Sequence, residues 1–153
     1  MYDRVLIHAD SRKAFETYLP FLEGVLRRKI AKEVVLTTVV RPCEPTLFGY
    51  VIDPADVAGI DAHNLAEANE FVQRMARKLE ADGIPLQTQV LMGDPNEAFR
   101  TYATQGGFDL VIIAPTGRRY LLTGKARAFR RELRRLAKPI MILPAVRLPA
   151  RAT

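Results

Sequence analysis

Apolar residues in this chain form four short, nearly continuous runs and one segment, residues 86–92, in which apolar and polar residues largely alternate, and between most of these segments apolar positions recur every three or four residues. Short apolar runs bounded by turn residues are typical of buried strands, whereas the three-to-four-residue period is typical of amphipathic helices. The pattern therefore predicts five strands, at residues 4–9, 34–40, 86–92, 109–114 and 140–146.

The helix predicted between Asp61 and Ala81 has the clearest period, because Leu65 and Val72 fall on one face with further apolar residues. Before it, residues 41–60 contain three prolines and two glycines, which indicates a long connection. The centre of this connection is too apolar for a purely solvated loop. We expect it to pack on the domain or on a partner.

Prolines mark three further helix boundaries. Asp94 can cap a helix whose first position is Pro95, where the missing N–H costs nothing. Pro20 interrupts the period of the first helix, so that helix is either kinked or begins near Pro20. A last helix is predicted to end before Pro139. Strands that alternate with helices predict an α/β fold, a single domain with a doubly wound, five-stranded parallel sheet covered on both faces.

The carboxyl ends of parallel strands lie along one edge of such a sheet, and ligands bind there at the point where the strand order reverses. This rule predicts that Ala9, Asp10 and Ser11, at and just beyond the end of the first strand, lie near Val40 and Ala114, the last residues of the second and fourth strands. Asp10 is equally well explained as a turn or helix-cap aspartate.

The net charge of +6 hides a strong asymmetry. Residues 117–153 carry 11 Lys/Arg against one acidic residue, whereas residues 1–116 carry 12 Lys/Arg against 16 Asp/Glu. The basic third indicates an anionic partner, with Arg127, Arg131 and Arg134 as candidate contacts on the last helix. The alternative is that these arginines form an ordinary solvated face.

Other chemistry has little support in the sequence. One cysteine, Cys43, allows no intramolecular disulfide, and the two histidines are not spaced as metal ligands. His8, inside an apolar strand, is more typical of a core residue than of a catalyst. No segment resembles a signal peptide or a membrane span, so the expected location is the cytoplasm. No nucleophile elbow or Walker loop is present, so the sequence offers little support for catalysis.

Four segments, in order, resemble the universal stress protein family. They are residues 5–11, 93–95, 108–118 and 137–143. The resemblance implies a Rossmann-like fold of the adenine nucleotide alpha hydrolase type over residues 1–147, with residues 148–153 as a C-terminal tail. It places Asp10 beside an adenine, and it implies a homodimer formed through the fifth strand, from Ile140 to Val146.

The family's phosphate loop is altered in this chain. ATP-binding members carry Gly, two residues, Gly, nine residues and then Gly-Ser or Gly-Thr, so that backbone N–H groups can approach the phosphates. Ala114 stands at the first of these positions, Gly117 at the second and Arg127 at the third, and Gly124 lies out of register. Either the nucleotide has been lost, or arginines such as Arg118 replace the backbone donors.

Two hypotheses follow. The first is a regulatory, stress-response protein of the universal stress type that binds ATP or AMP, with Mg²⁺ in the case of ATP. At most slow ATP hydrolysis is expected of it. Its candidate nucleotide-binding residues are Ala9, Asp10, Ser11, Val40, Ala114, Thr116, Gly117, Arg118, Gly124 and Arg127. The second is an interaction module that binds no nucleotide and docks an acidic partner through its basic C-terminal helix.

Overall fold

The computed structural model describes residues 1–9, 12–47, 50–79, 83, 85–114, 131 and 133–143. Within these ranges strands and helices alternate as the apolar pattern predicts. In chain order the elements are β1 (Tyr2–Ala9), α1 (Arg12–Arg27), β2 (Ala31–Val40), β3 (Thr46–Leu47), β4 (Tyr50–Val51), α2 (Pro54–Leu79), β5 (Leu86–Met92), α3 (Pro95–Gln105), β6 (Leu110–Ala114) and β7 (Ile140–Ile142).

The main sheet has the strand order β5-β2-β1-β6-β7, and all of its neighbouring strands are parallel. The chain runs outward from β1 through β2 to β5, and then returns to the other side of β1 for β6 and β7. The strand order therefore reverses between β1 and β6. This arrangement confirms the predicted five-stranded, doubly wound α/β fold.

Two apolar layers cover the sheet, one on each face. On one face α1 and α2 contribute Phe15, Leu22 and Val72, all fully buried against β1 and β2. On the other face α3 contributes Phe99, which packs with Leu133 from the C-terminal segment. Burial on both faces explains why the central strands are almost continuously apolar.

Helix α2 begins at Pro54, earlier than the predicted start at Asp61. The Asp53 side chain accepts a hydrogen bond from the backbone N–H of Ala55 at 2.8 Å, and Pro54 needs no donor at the first helical position. The predicted connection at 41–60 is thus wrong in its second half, which is helical. Its first half contains the two-stranded antiparallel sheet formed by β3 and β4.

The other predicted boundaries have mixed outcomes. Helix α1 runs through Pro20 from Arg12 to Arg27, so a start near Pro20 is wrong. Asp94 caps α3 as predicted, since its carboxylate accepts from two backbone N–H groups of the first turn. Strand β7 begins at Ile140 as predicted, and residues 144–146 lie outside the described ranges.

Candidate functional site

The described strand-end residues predicted for the site lie at one edge of the sheet. Ala9 and Ala114 are register partners at the ends of β1 and β6. The Thr38 hydroxyl donates to the Ala9 carbonyl at 3.2 Å, which ties β2 to the end of β1. Val40 ends β2, and its carbonyl oxygen accepts from the backbone N–H of Gly93 at 3.1 Å. Asp10, Ser11, Thr116, Gly117, Arg118, Gly124 and Arg127 lie outside the described residues.

A cleft of about 310 Å³ opens at this edge, between the end of β2 and the helices α1 and α2. Its volume is near the lower end of the range usual for small-molecule sites, about 300 to 1,000 Å³. The cleft is lined by Thr38, Val39 and Val40 from β2, by Arg12 from α1, and by Asn64, Ala68 and Phe71 from α2.

The floor of the cleft is apolar and belongs to the core. Ala68 and Phe71 are buried, and the Phe71 ring lies 6.0 Å from the ring of Phe15. Val40 is partly buried and packs on the same cluster. These contacts fix the floor in place, because the side chains that form it also hold α1 and α2 on the sheet.

The rim of the cleft carries charge. The Arg12 guanidinium lies 3.2 Å from a carboxylate oxygen of Glu67 and 5.8 Å from the centre of the Phe71 ring. The other Glu67 oxygen lies 3.6 Å from the imidazole of His63, one turn earlier on α2. The arrangement suits a ligand with an apolar part for the floor and an anionic part for Arg12.

A second groove, of about 420 Å³, runs between the end of β5 and α3. Its lining includes the carboxylates of Asp94 and Glu97, and Asp94 is already occupied in capping α3. Its acidic lining is unsuited to an anionic ligand. The cleft beside Arg12 is therefore the better candidate for a nucleotide site.

His8 is a core residue, as predicted. It lies on the face covered by α3, its side chain is buried, and its ring centre is 4.4 Å from that of Phe99. Burial lowers the pKa of His8 from 6.5 to about 3, so the imidazole is neutral at physiological pH. Its position behind the sheet separates it from the cleft.

A second polar cluster lies at the amino end of the sheet. The two carboxylate oxygens of Asp109 accept hydrogen bonds from the backbone N–H groups of Asp3 and Arg4, at 2.8 and 2.7 Å. Burial alone would raise the pKa of Asp109, but these hydrogen bonds to the charged form outweigh it and lower the pKa. The Arg4 guanidinium in turn donates to the Gly106 carbonyl and pairs with Glu33 at 3.3 Å.

The part of the chain that the structure describes holds neither a cluster of metal ligands nor a helix suited to cross a membrane. No group of three or more His, Cys, Asp or Glu side chains in that part could hold a metal ion. None of the helices there combines the length and the apolar character needed to cross a membrane.

Sequence reasoning missed six residues of the cleft, namely Arg12, Thr38, Val39, Asn64, Ala68 and Phe71. The strand-end rule selects residues at or just after the ends of strands, whereas three of these six lie on α2, which packs over the strand ends. One sequence feature could have identified Asn64 as a cleft residue, because it is a polar residue next to the apolar stripe of α2.

Comparison with solved structures finds the same fold in universal stress proteins. UspA from Lactobacillus plantarum superposes with a TM-score of 0.70 at 16% identity, over 94% of this chain and 98% of that chain. A universal stress protein solved in complex with cAMP gives 0.63 at 17% identity, over 95% and 99%. A universal stress protein family member from Arabidopsis thaliana, solved with AMP bound, gives 0.58 at 15% identity, over 94% and 92%.

These likenesses confirm, at the level of the fold, the resemblance predicted from the four sequence segments. The chain has the universal stress protein fold, with the same five-stranded parallel sheet and helices. Its sequence matches no protein-family model and no curated protein.

Proposed function

We propose that this chain is a regulatory protein of the universal stress type that binds an adenine nucleotide, AMP or ATP, in the cleft beside Arg12. The observation that carries the proposal is the cleft itself, which lies at the carboxyl end of β2 and has an apolar floor and the arginine Arg12 in its lining. Two of the universal stress protein structures with this fold hold AMP or cAMP, which supports the choice of ligand.

The proposal also assigns a role to arginine side chains that lie outside the described residues. Ala114 and Arg127 occupy two glycine positions of the family's phosphate loop, so a cradle of backbone N–H groups is incomplete. Arg118 and Arg127 would supply charged donors instead, since a guanidinium matches phosphate oxygens with two parallel hydrogen bonds. Mg²⁺ would accompany ATP and offset part of the negative charge of its phosphates.

The test is a thermal-shift titration of nucleotide-stripped protein with AMP, with ATP and with ATP plus Mg²⁺. A ligand at about 100 times its Kd adds about 2.7 kcal/mol to the free energy of unfolding, which raises the Tm by several degrees. We expect a saturable rise with at least one nucleotide. An unchanged Tm at millimolar AMP and ATP would overturn the proposal.

A cleft-filling variant locates the site. Asn64→Trp places a bulky ring in the cleft, whereas Glu70→Trp places the same ring on an exposed part of α2 that does not line it. We expect Asn64→Trp to abolish the nucleotide-dependent rise in Tm and Glu70→Trp to keep it. Equal responses from the two variants would mean that nucleotide binds elsewhere.

We further propose that two copies of the chain pair through the fifth strand, Ile140 to Val146. In its described part, strand β7 is a sheet edge on which Met141 and Ile142 are 39% and 54% exposed. Exposed apolar edge strands readily pair with another strand. Light scattering should give twice the chain mass for the native protein and a lower mass for Ile142→Lys. A monomer mass for the native protein would contradict the proposal.

The second candidate function is the docking of an acidic partner without any nucleotide. It is favoured by the last helical segment, where Leu133 and Leu136 are buried while Arg131 and Arg134 are exposed. Poly-glutamate should then bind in a salt-sensitive manner that the double variant Arg131→Glu/Arg134→Glu abolishes. Arg127 would extend the same basic surface. If poly-glutamate binding changed neither with the salt concentration nor in the double variant, this second candidate function would be contradicted.

A further inference from the structure

Arg12 and Glu67 form an ion pair between two helices at the rim of the cleft. Arg12 is the first residue of α1 and lines the cleft, whereas Glu67 lies on α2 one residue before the buried Ala68. Their side chains are 54% and 47% exposed. The pair therefore lies where the cleft meets solvent.

The contacts of Arg12 differ in how easily they can be replaced. Its guanidinium lies over the Phe71 ring, and Phe71 is fixed in the core by Phe15. Its ion pair with Glu67 is half exposed, and such pairs contribute little to stability because water and salt screen them. An anion in the cleft can therefore displace Glu67 while the Phe71 contact keeps the guanidinium in position.

Two further features favour an anion at this place. Arg12 begins a 16-residue helix, so the positive end of the helix dipole is close to its charge. After displacement, Glu67 still has a neighbour of opposite charge whenever His63 is protonated, since its second oxygen lies 3.6 Å from the His63 imidazole.

We propose that Arg12 selects ligands that carry a phosphate group in this cleft. In this proposal Glu67 competes with the phosphate for the Arg12 guanidinium, and the phosphate displaces it. This inference rests on the proposed nucleotide function and adds the residue that decides between phosphorylated and unphosphorylated ligands. Because Glu67 occupies Arg12, it lowers the affinity of the cleft for every anion. An anion that binds Arg12 weakly leaves the Arg12–Glu67 ion pair intact, whereas a phosphate breaks it.

The test compares AMP with adenosine by isothermal titration calorimetry on the full chain. Arg12→Gln should weaken AMP binding about tenfold, because it removes a charge-assisted hydrogen bond at a half-exposed site, and should leave adenosine unchanged. Glu67→Gln should strengthen AMP binding about two- to fivefold, the size of an exposed ion pair. In the double variant the Glu67 effect should vanish.

The chain offers a matched control in the ion pair between Glu70 and Arg74, which lies on the same helix and does not line the cleft. Glu70→Gln and Arg74→Gln should leave both affinities unchanged. Circular dichroism melts should show that all four single variants fold.

The possible results separate the two proposals. If adenosine and AMP bind the native chain but the ratio of their affinities is the same in Arg12→Gln, the inference about Arg12 is wrong and the nucleotide function stands. If the native chain binds neither ligand, the proposed function fails and the inference fails with it. Weaker AMP binding in Glu67→Gln would contradict the role of Glu67 as competitor.

Discussion

The two ends of the parallel sheet both carry arginines, carboxylates and turn residues, but they use them differently. At the amino end Asp109 accepts from two backbone N–H groups, and the side chains of Arg4 and Glu33 are 30% and 33% exposed. At the carboxyl end Arg12 and Glu67 are about half exposed and pair only through their side chains. An open cleft lies beside this second pair and contains Arg12 in its wall.

The difference lies in which groups act as partners. Backbone N–H and C=O groups in a sheet cannot leave without unfolding, so a carboxylate held by them contributes to the fold. Two flexible side chains can exchange their partners for a ligand at little cost. The carboxylate at the amino end is therefore held by backbone partners, whereas the ion pair at the carboxyl end can exchange its partners, as the proposed nucleotide function requires.

The largest expected effect is at the amino end. Asp109→Ala removes the acceptor for the N–H groups of Asp3 and Arg4 and should lower the free energy of unfolding by about 2 to 3 kcal/mol. Asp109→Asn keeps one acceptor oxygen and should lower the free energy of unfolding by less than Asp109→Ala does. Urea denaturation measures both values, and a loss of under about 0.5 kcal/mol in Asp109→Ala would contradict the structural role.

The next effect concerns His8, a buried polar residue near the carboxyl end of β1. Because its folded pKa of about 3 lies below the unfolded value of 6.5, unfolded chains take up the proton first as the pH falls below that value. Stability should drop by about 1.4 kcal/mol per pH unit, which makes about 2 kcal/mol at pH 5.

The variant His8→Leu isolates this effect. Its free energy of unfolding should depend less on pH between 6.5 and 5 than that of the native chain. Asp109 does not interfere in this window, since its pKa is lowered further below the ordinary value of 3.8. If the free energy of unfolding depended on pH equally in the native chain and in His8→Leu, His8 would not remain neutral in the folded state.

The smallest effect on stability should come from Arg12. Arg12→Gln breaks a half-exposed ion pair and should change the free energy of unfolding by less than about 1 kcal/mol. Arg4→Gln, its counterpart at the amino end, should cost more, because Arg4 also donates to the Gly106 carbonyl. Urea denaturation of Arg12→Gln and Arg4→Gln at equal salt concentration tests this difference. Equal losses of free energy of unfolding would contradict the distinction between the two ends of the sheet.

The sheet could be predicted from the sequence because each buried strand stands out as an apolar run. Helix starts were predictable where a local signal was recognised. Asp94 and Pro95 indicate the start of α3, whereas the same pair of residue types at Asp53 and Pro54 lies in the segment predicted as a long connection. The second pair is followed by an exposed helix segment with no clear apolar stripe. The apolar periodicity therefore does not indicate that a helix begins there.

The candidate site was predictable only in part. Ala9, Val40 and Ala114 are the last residues of their strands, and the general rule for parallel sheets locates them. Phe71 lines the cleft through a helix whose apolar stripe predicts core packing, and it does serve the core as well. The partnership of Arg12 with Glu67 joins residues far apart in sequence, and only the packing of α1 against α2 brings them together.

The two edges of the sheet set a limit on how many copies could join it. Strand β5 presents exposed glutamines, Gln87 and Gln89, along one edge, whereas the described part of β7 presents Met141 and Ile142 along the other. Edge-to-edge growth into a fibre needs two adhesive sides on every subunit. If two copies pair through β7 as proposed, the polar part of β5 at Gln87 and Gln89 offers no second apolar strand of this kind, and growth by strand pairing would end at a closed pair.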